Sequence, residues 1–197
     1  MKKLFANIIA LVSSLTGIIP FTHAANLDAH VHGLSGLTIA MEGKTLEIQF
    51  TSPAFNLLGF EHKANTKEDI AAIKALESRL RQHETLFLFS EGRCNHVKTF
   101  INLTSLINKN DDEHTHQEKR ITNEYEHEHE DHVQENNHSE AAAHYHYHCE
   151  NNAQPSSIRV AFFKPFPGIH IIQAMWVKQT RQGAKTLTPD NSIIMFR

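Results

Sequence analysis

The run Leu37-Thr38-Ile39-Ala40-Met41-Glu42-Gly43-Lys44-Thr45-Leu46-Glu47-Ile48-Gln49-Phe50 decides what kind of fold this sequence makes. Leu37, Ile39 and Met41 alternate with Thr38 and Ala40, and Leu46, Ile48 and Phe50 alternate with Thr45, Glu47 and Gln49. Successive strand side chains point to opposite faces, so each half has one face to bury, and Glu42-Gly43 supplies the turn between them. The stretch therefore predicts a β-hairpin with one buried face. Ser52-Pro53 closes its second strand, because proline has no N–H to give to a ladder.

Beyond the hairpin, residues 57–62 read as a loop. Thr66 followed by Asp69 resembles a capping box, with Asp in place of the usual Glu or Gln, and Ile70, Ile73, Leu76 and Leu80 recur at helical spacing. One amphipathic helix is expected over about 66–83, with Lys67, Glu68, Lys74, Glu77, Arg79 and Arg81 on a solvated face. Val97, Thr99, Ile101 and Leu103 alternate with more polar neighbours and predict a strand over about 97–106. Further strands are expected at 141–150, 158–162, 169–177 and 193–196, with turns at 165–168 and 188–191. The sum is an α+β domain: a mainly antiparallel β-sheet with one amphipathic helix.

Residues 110–140 break this pattern. They hold eleven acidic residues, two basic ones and almost no large aliphatics, a composition that does not repay the entropy of ordering. The stretch is expected to be a disordered, mobile His/Glu-rich insertion. In the strand that follows, His144, His146 and His148 alternate with Tyr145, Tyr147 and Cys149, so three imidazoles should form a row on the outer face while the tyrosines and the cysteine face the core. Cys94 and Cys149 are the only cysteines and bracket the insertion. In an exported chain such a pair is best read as a disulfide; metal thiolates are the weaker reading, since neither cysteine sits in a C-x-x-C pair. A cross-link over a span of about 55 residues stabilises by roughly 4 kcal/mol on the entropic account, offsetting the roughly 3 kcal/mol needed to close a flexible loop of about thirty residues.

The amino terminus carries Met1-Lys2-Lys3, a mostly apolar run over 4–21, and Thr22-His23-Ala24 before Ala25. A positive start, an apolar middle and a small-x-small site read as a cleaved signal peptide over residues 1–24. Asn7, Ser13, Ser14, Thr16 and Pro20 make this run a poor permanent membrane anchor, and no other segment has the length of a spanning helix. The mature chain, 25–197, is long enough for a single domain with its own core. A formal charge of −3 argues against a nucleic-acid binder, which needs a basic surface for phosphates.

Sixteen histidines are the unusual feature of the composition. The insertion holds His114 and His116, then His127-Glu128-His129-Glu130-Asp131-His132, then His138-Ser139-Glu140. Neutral imidazole is a ligand shared by zinc, copper and nickel, and interleaved carboxylates add charge and complete tetrahedral sets. Several weak, interchangeable sites are expected; a pH-responsive solvated tract or an inert acidic loop are the bland alternatives. A second cluster, in the ordered part, is His30-Val31-His32, two imidazoles on one face of an extended segment with Val31 pointing inward, which Glu61-His62 could join across the fold. His127-Glu128 and His129-Glu130 are followed by Asp131 and Val133 where H-E-x-x-H requires the second histidine, and Gly33-Leu34-Ser35-Gly36 is not a nucleophile elbow. No catalytic site is expected, although an ion with an open coordination position at His30 and His32 would be able to activate water as a hydrolase does.

Several strings then point to one family. Ala29-His30-Val31-His32-Gly33, Leu46-Glu47-Ile48, Ser52-Pro53-Ala54 and Gly59-Phe60-Glu61-His62 resemble the zinc-regulated periplasmic zinc-binding proteins of Gram-negative bacteria, the ZrgA type. Phe166-Pro167-Gly168, Gln173-Ala174-Met175-Trp176-Val177 and the run from Gln182-Gly183-Ala184 to Leu187-Thr188-Pro189-Asp190-Asn191 match it too. The resemblance implies a periplasmic zinc-binding domain that assists zinc acquisition beside an ABC importer and its binding protein; a metal buffer or sensor without a transporter is the alternative. It implies zinc over copper and nickel, which the ligand chemistry alone does not. By position, His30, His32, Glu61 and His62 fall in family motifs, and His138, Glu140 and Cys149 lie where the family resumes after its loop.

Overall fold

The computed structural model describes residues 31–108, 139–150 and 153–196. The signal-peptide reading falls outside these residues, and so does the insertion reading except at Ser139 and Glu140, where it is corrected: Ser139 is buried and Glu140 opens a strand. The elements run β1 (Leu34–Glu42), β2 (Thr45–Pro53), α1 (Ala54–Leu58), α2 (Lys67–Arg81), α3 (His83–Leu86), β3 (Phe87–Ser90) and β4 (Cys94–Asn102). A 3-10 turn (Thr104–Leu106) follows, then β5 (Glu140–Cys149), β6 (Ser157–Val160), β7 (Ile171–Lys178), β8 (Arg181–Leu187) and β9 (Ile193–Met195).

The hairpin forms as its alternation requires. β1 and β2 pair antiparallel from Gly36 opposite Thr51 to Glu42 opposite Thr45, and Leu37, Ile39, Met41, Leu46, Ile48 and Phe50 are all buried. Gly43 turns the chain with φ of 54°, a region that favours glycine. Six strands in the order β4-β5-β2-β1-β7-β8 make the main sheet, and β3-β6-β9 make a smaller one. Every pairing is antiparallel except β1 with β7, which run parallel in the middle of the main sheet.

One layer is the main sheet; the other is α2 together with the small sheet. Thr66 caps α2 as expected, with its side chain accepting from the Asp69 N–H while the Asp69 carboxylate accepts from the Thr66 N–H, both at about the usual length (3.0 and 3.2 Å). Ile73, Leu76 and Leu80 are buried beneath it; Ile70, also expected inward, stays partly exposed at 39%. From β5, the Tyr145 hydroxyl donates to the Leu80 carbonyl at 2.8 Å, and its ring meets Phe87 edge-on, tying both halves of the second layer to the sheet. Phe50 and Phe162 pack between the layers at 4.3 Å.

The structure adds to the sequence reading and trims it. Residues 54–58 are a short helix, so Leu57 and Leu58 leave the expected loop for α1. The strand expected over 97–106 is β4, which begins earlier and gives way to the 3-10 turn. The strands β3 and β8 were not anticipated. Cys94 lies opposite Cys149 on β4 and β5, and the two sulfurs are bonded as expected.

Candidate metal-binding site

His32 belongs to a turn, not to an extended segment. Leu34 donates its N–H to the Val31 carbonyl, Gly33 takes φ of 85°, and Val31 is 55% exposed instead of pointing inward. The alternation of β1 ends at Leu34 because this turn reverses the backbone. Gly33 is required twice over, since a Cβ there would also strike the His170 ring, 2.9 Å from Nδ1.

Asn56 holds the turn in place. Its Oδ1 accepts from the Gly33 N–H at 2.7 Å, and its Nδ2 donates to the Leu34 carbonyl at 2.9 Å and to the Ser52 hydroxyl at 3.2 Å. From the other side, His170 and Ile171 donate their N–H groups to the Gly33 carbonyl. Phe55 stacks its ring on the His32 imidazole, with centroids 4.2 Å apart and planes 13° from parallel. The helix α1 thus fixes both the backbone and the ring of His32. Neither Asn56 nor Phe55 carries a signal in the sequence; only the packing of α1 against the start of β1 reveals them.

Fixed in this way, His32 meets Glu61 across the fold: Nε2 lies 3.2 Å from Oε1. The carboxylate is mostly covered, at 14% exposure, and the imidazole is half open at 51%. Two metal bonds of about 2.0–2.1 Å at a tetrahedral angle hold their donor atoms roughly 3.3 Å apart, so the pair already has the spacing of two ligands on one zinc ion. His62 turns the other way, packing on Phe60 and placing Nε2 at 3.4 Å from Asp69 Oδ2. The Asp69 carboxyl is held below its ordinary range first by the Asn65 N–H, and then by its bonds with Thr66 and His62.

The row expected on β5 forms. Tyr145, Tyr147 and Cys149 are buried, and His144, His146 and His148 face the other side. Glu47 lies opposite His146, with Oε1 at 3.3 Å from Nδ1, and Phe100 meets the same imidazole edge-on. His144 is flanked by Gln49 and Phe100, and His148 by Thr45 and Asn95. Glu140 starts the same face, where it lines an open groove of about 440 Å³ with Gln49, Thr51, Gln173 and Lys185. Glu47 is a carboxylate that the sequence reading passed over, since its closeness to His146 arises only from the register of β2 and β5.

His30, His114, His116, His127, His129, His132 and His138 lie outside the described residues. Among the described residues, no group of three His, Cys, Asp or Glu side chains is arranged to hold an ion. The stretches that border the insertion are nevertheless fastened to the site. Ala64 and Leu106 are joined by an N–H to carbonyl bond, Asn108 Nδ2 donates to the Ala64 carbonyl, and Ala54 donates to the Ser139 carbonyl. The insertion departs after the 3-10 turn and returns at β5, and these two points are hydrogen-bonded to the loop that carries Glu61 and His62 and to the start of the helix that carries Phe55 and Asn56.

A scaffold that sets imidazole beside carboxylate at several points on its surface has the donor chemistry of a protein that binds divalent transition ions. The chain belongs to the ZrgA family of zinc uptake proteins, whose family profile matches residues 29–196. That family has a role in zinc uptake. No curated protein matches the chain. Among the described residues no helix is long and apolar enough to cross a membrane.

Proposed function

We propose that this is a periplasmic zinc-binding protein, exported by a cleaved signal peptide over residues 1–24, whose insertion 110–140 collects zinc ions and passes them to a folded site. His32 and Glu61 are the centre of that site, with His30 beside His32 in the chain and His62 one residue from Glu61. Glu140, His144, His146 and His148 supply intermediate positions along β5, and His114, His116, His127, His129, His132 and His138 make the first captures. The ion is then given up to an ABC importer and its binding protein. The chain itself does no chemistry on the ion.

One observation carries this reading: the hydrogen bonds that root both borders of the insertion in the elements holding His32 and Glu61. An ion released by the insertion is delivered where the folded ligands stand. His32 is half open, which leaves it accessible, while Phe55 and Asn56 keep it aimed. Imidazole must be neutral to ligate, so affinity should collapse below about pH 6.

Zinc titration by calorimetry on the mature chain, with and without residues 110–138, tests the division of labour. The shortened chain should keep a binding event that His32→Ala and Glu61→Gln each weaken; no heat beyond dilution in either chain would end the reading. A zinc-uptake defect in a deletion strain under chelation supports the importer role, and normal uptake there points to a buffer.

A further inference from the structure

At the disulfide end of the main sheet, a second group of donors comes together from three elements. His83 opens α3 and His96 lies on the edge strand β4, and their imidazoles stack with centroids 3.8 Å apart and planes 14° from parallel. His96 is placed by a bulge: Val97 is the extra residue between His96, opposite Tyr147, and Lys98, opposite His146. The Thr99 hydroxyl lies 2.8 Å from His96 Nε2. A hydroxyl accepting from Nε2–H fixes the tautomer that leaves Nδ1 unprotonated, as the outer partners of metal-bound histidines do. Glu84 stands with Oε1 3.9 Å from His83 Nε2, a gap that two metal bonds of about 2.0–2.1 Å span after a small closure. Its side chain is 84% exposed and free to make that movement.

The floor of this group is Tyr147. Its ring edge meets both imidazoles, at 5.7 and 5.5 Å between centroids. The residue is 97% buried (3% exposed), and its hydroxyl has no hydrogen-bond partner among the described residues. A buried O–H without a partner is costly unless something else supplies one.

We propose that His83, His96 and Glu84 form a binding site for a divalent transition ion, separate from the His32 and Glu61 site, with Thr99 orienting His96 and Tyr147 facing the ion's bound water. His83 ligates through Nε2, His96 through Nδ1 and Glu84 through a carboxylate oxygen, and water takes the fourth tetrahedral position. The stacked rings face one another rather than a shared ion, and rotation of the His83 ring about its Cβ–Cγ bond turns its lone pair toward the Nδ1 of His96, whose ring Thr99 holds.

The test is zinc ion alone titrated into the mature full-length chain, with the imidazole signals of each histidine followed by NMR. At saturating zinc the His83 and His96 signals should move together, and His96→Gln, an exposed position that does not threaten folding, should leave His83 at its zinc-free position. Thr99→Val should weaken the response about tenfold, the lower end of the loss seen when an outer partner of a metal ligand is removed. The response should survive deletion of residues 110–138, so this site and capture by the insertion fail separately. Imidazoles of His83 and His96 that stay at their zinc-free positions in saturating zinc, or a His83 shift undiminished in His96→Gln, would overturn the proposal.

Discussion

The two faces of β5 divide the work of one strand. Its inner side chains, Tyr145, Tyr147 and Cys149, are buried and tie the sheet to α2, to the small sheet and to β4. Its outer ones, His144, His146 and His148, sit within one residue of them and meet Glu47, Phe100 and their strand neighbours instead. A period of two lets the same ten residues build the core and present ligands, with little interference between the roles. Apart from Tyr147, which borders the His83 and His96 site, substitutions on the inner face should therefore change stability and leave zinc alone, and those on the outer face should do the reverse.

The harshest trial of that separation is Tyr145→Ala. It removes a fully buried ring and its bond to the Leu80 carbonyl, and should cost about 5 kcal/mol in denaturant unfolding, with zinc binding per folded molecule unchanged. Replacing Cys94 and Cys149 together by Ala should cost about 4 kcal/mol, measured the same way. Tyr145→Phe keeps the ring and loses one hydrogen bond, for about 1 kcal/mol.

A smaller effect comes from the rim of the inner face. Burial first, and the neighbouring His96 second, hold His83 below its ordinary value of 6.5. The unfolded chain then takes up a proton that the folded one resists. Stability of the metal-free protein should be unaffected by His83 above pH 6.5 and should decline as pH falls from there through the folded value, a slope that His83→Gln removes. Least of all should His148→Ala change stability, by within about 0.5 kcal/mol, because its side chain is exposed. A large loss there would mean that the outer row is structural after all.

Much of this architecture could be read from residue order. The hairpin, the capped helix and the split of β5 all rest on local periodicity, which needs no knowledge of partners. The strand β8 stayed hidden because six of its seven residues are not buried, so no alternation marks it, and β3 because four residues are too few for a pattern. The parallel pairing of β1 with β7 joins segments more than a hundred residues apart, and nothing local encodes that choice. At the site, the meeting of His32 with Glu61 was legible as two motifs to be joined across the fold. The inward Val31 was misread because a strand pattern was extended through Gly33, whose positive φ ends it. Asn56, Phe55 and Glu47 were invisible for one reason: each matters only through a neighbour that the fold brings to it.

The anchoring of the insertion has a consequence for evolution. A tether fixed at both borders sets the effective concentration of its side chains over the site by its span, commonly in the millimolar range for short links. Doubling the length of such a segment adds only about 0.6 kcal/mol to the cost of closing it. The rooted borders, Ala54 with Ser139 and Ala64 with Leu106, therefore let the stretch between them gain, lose or reorder histidines freely, so long as the two fastening points stay where they are.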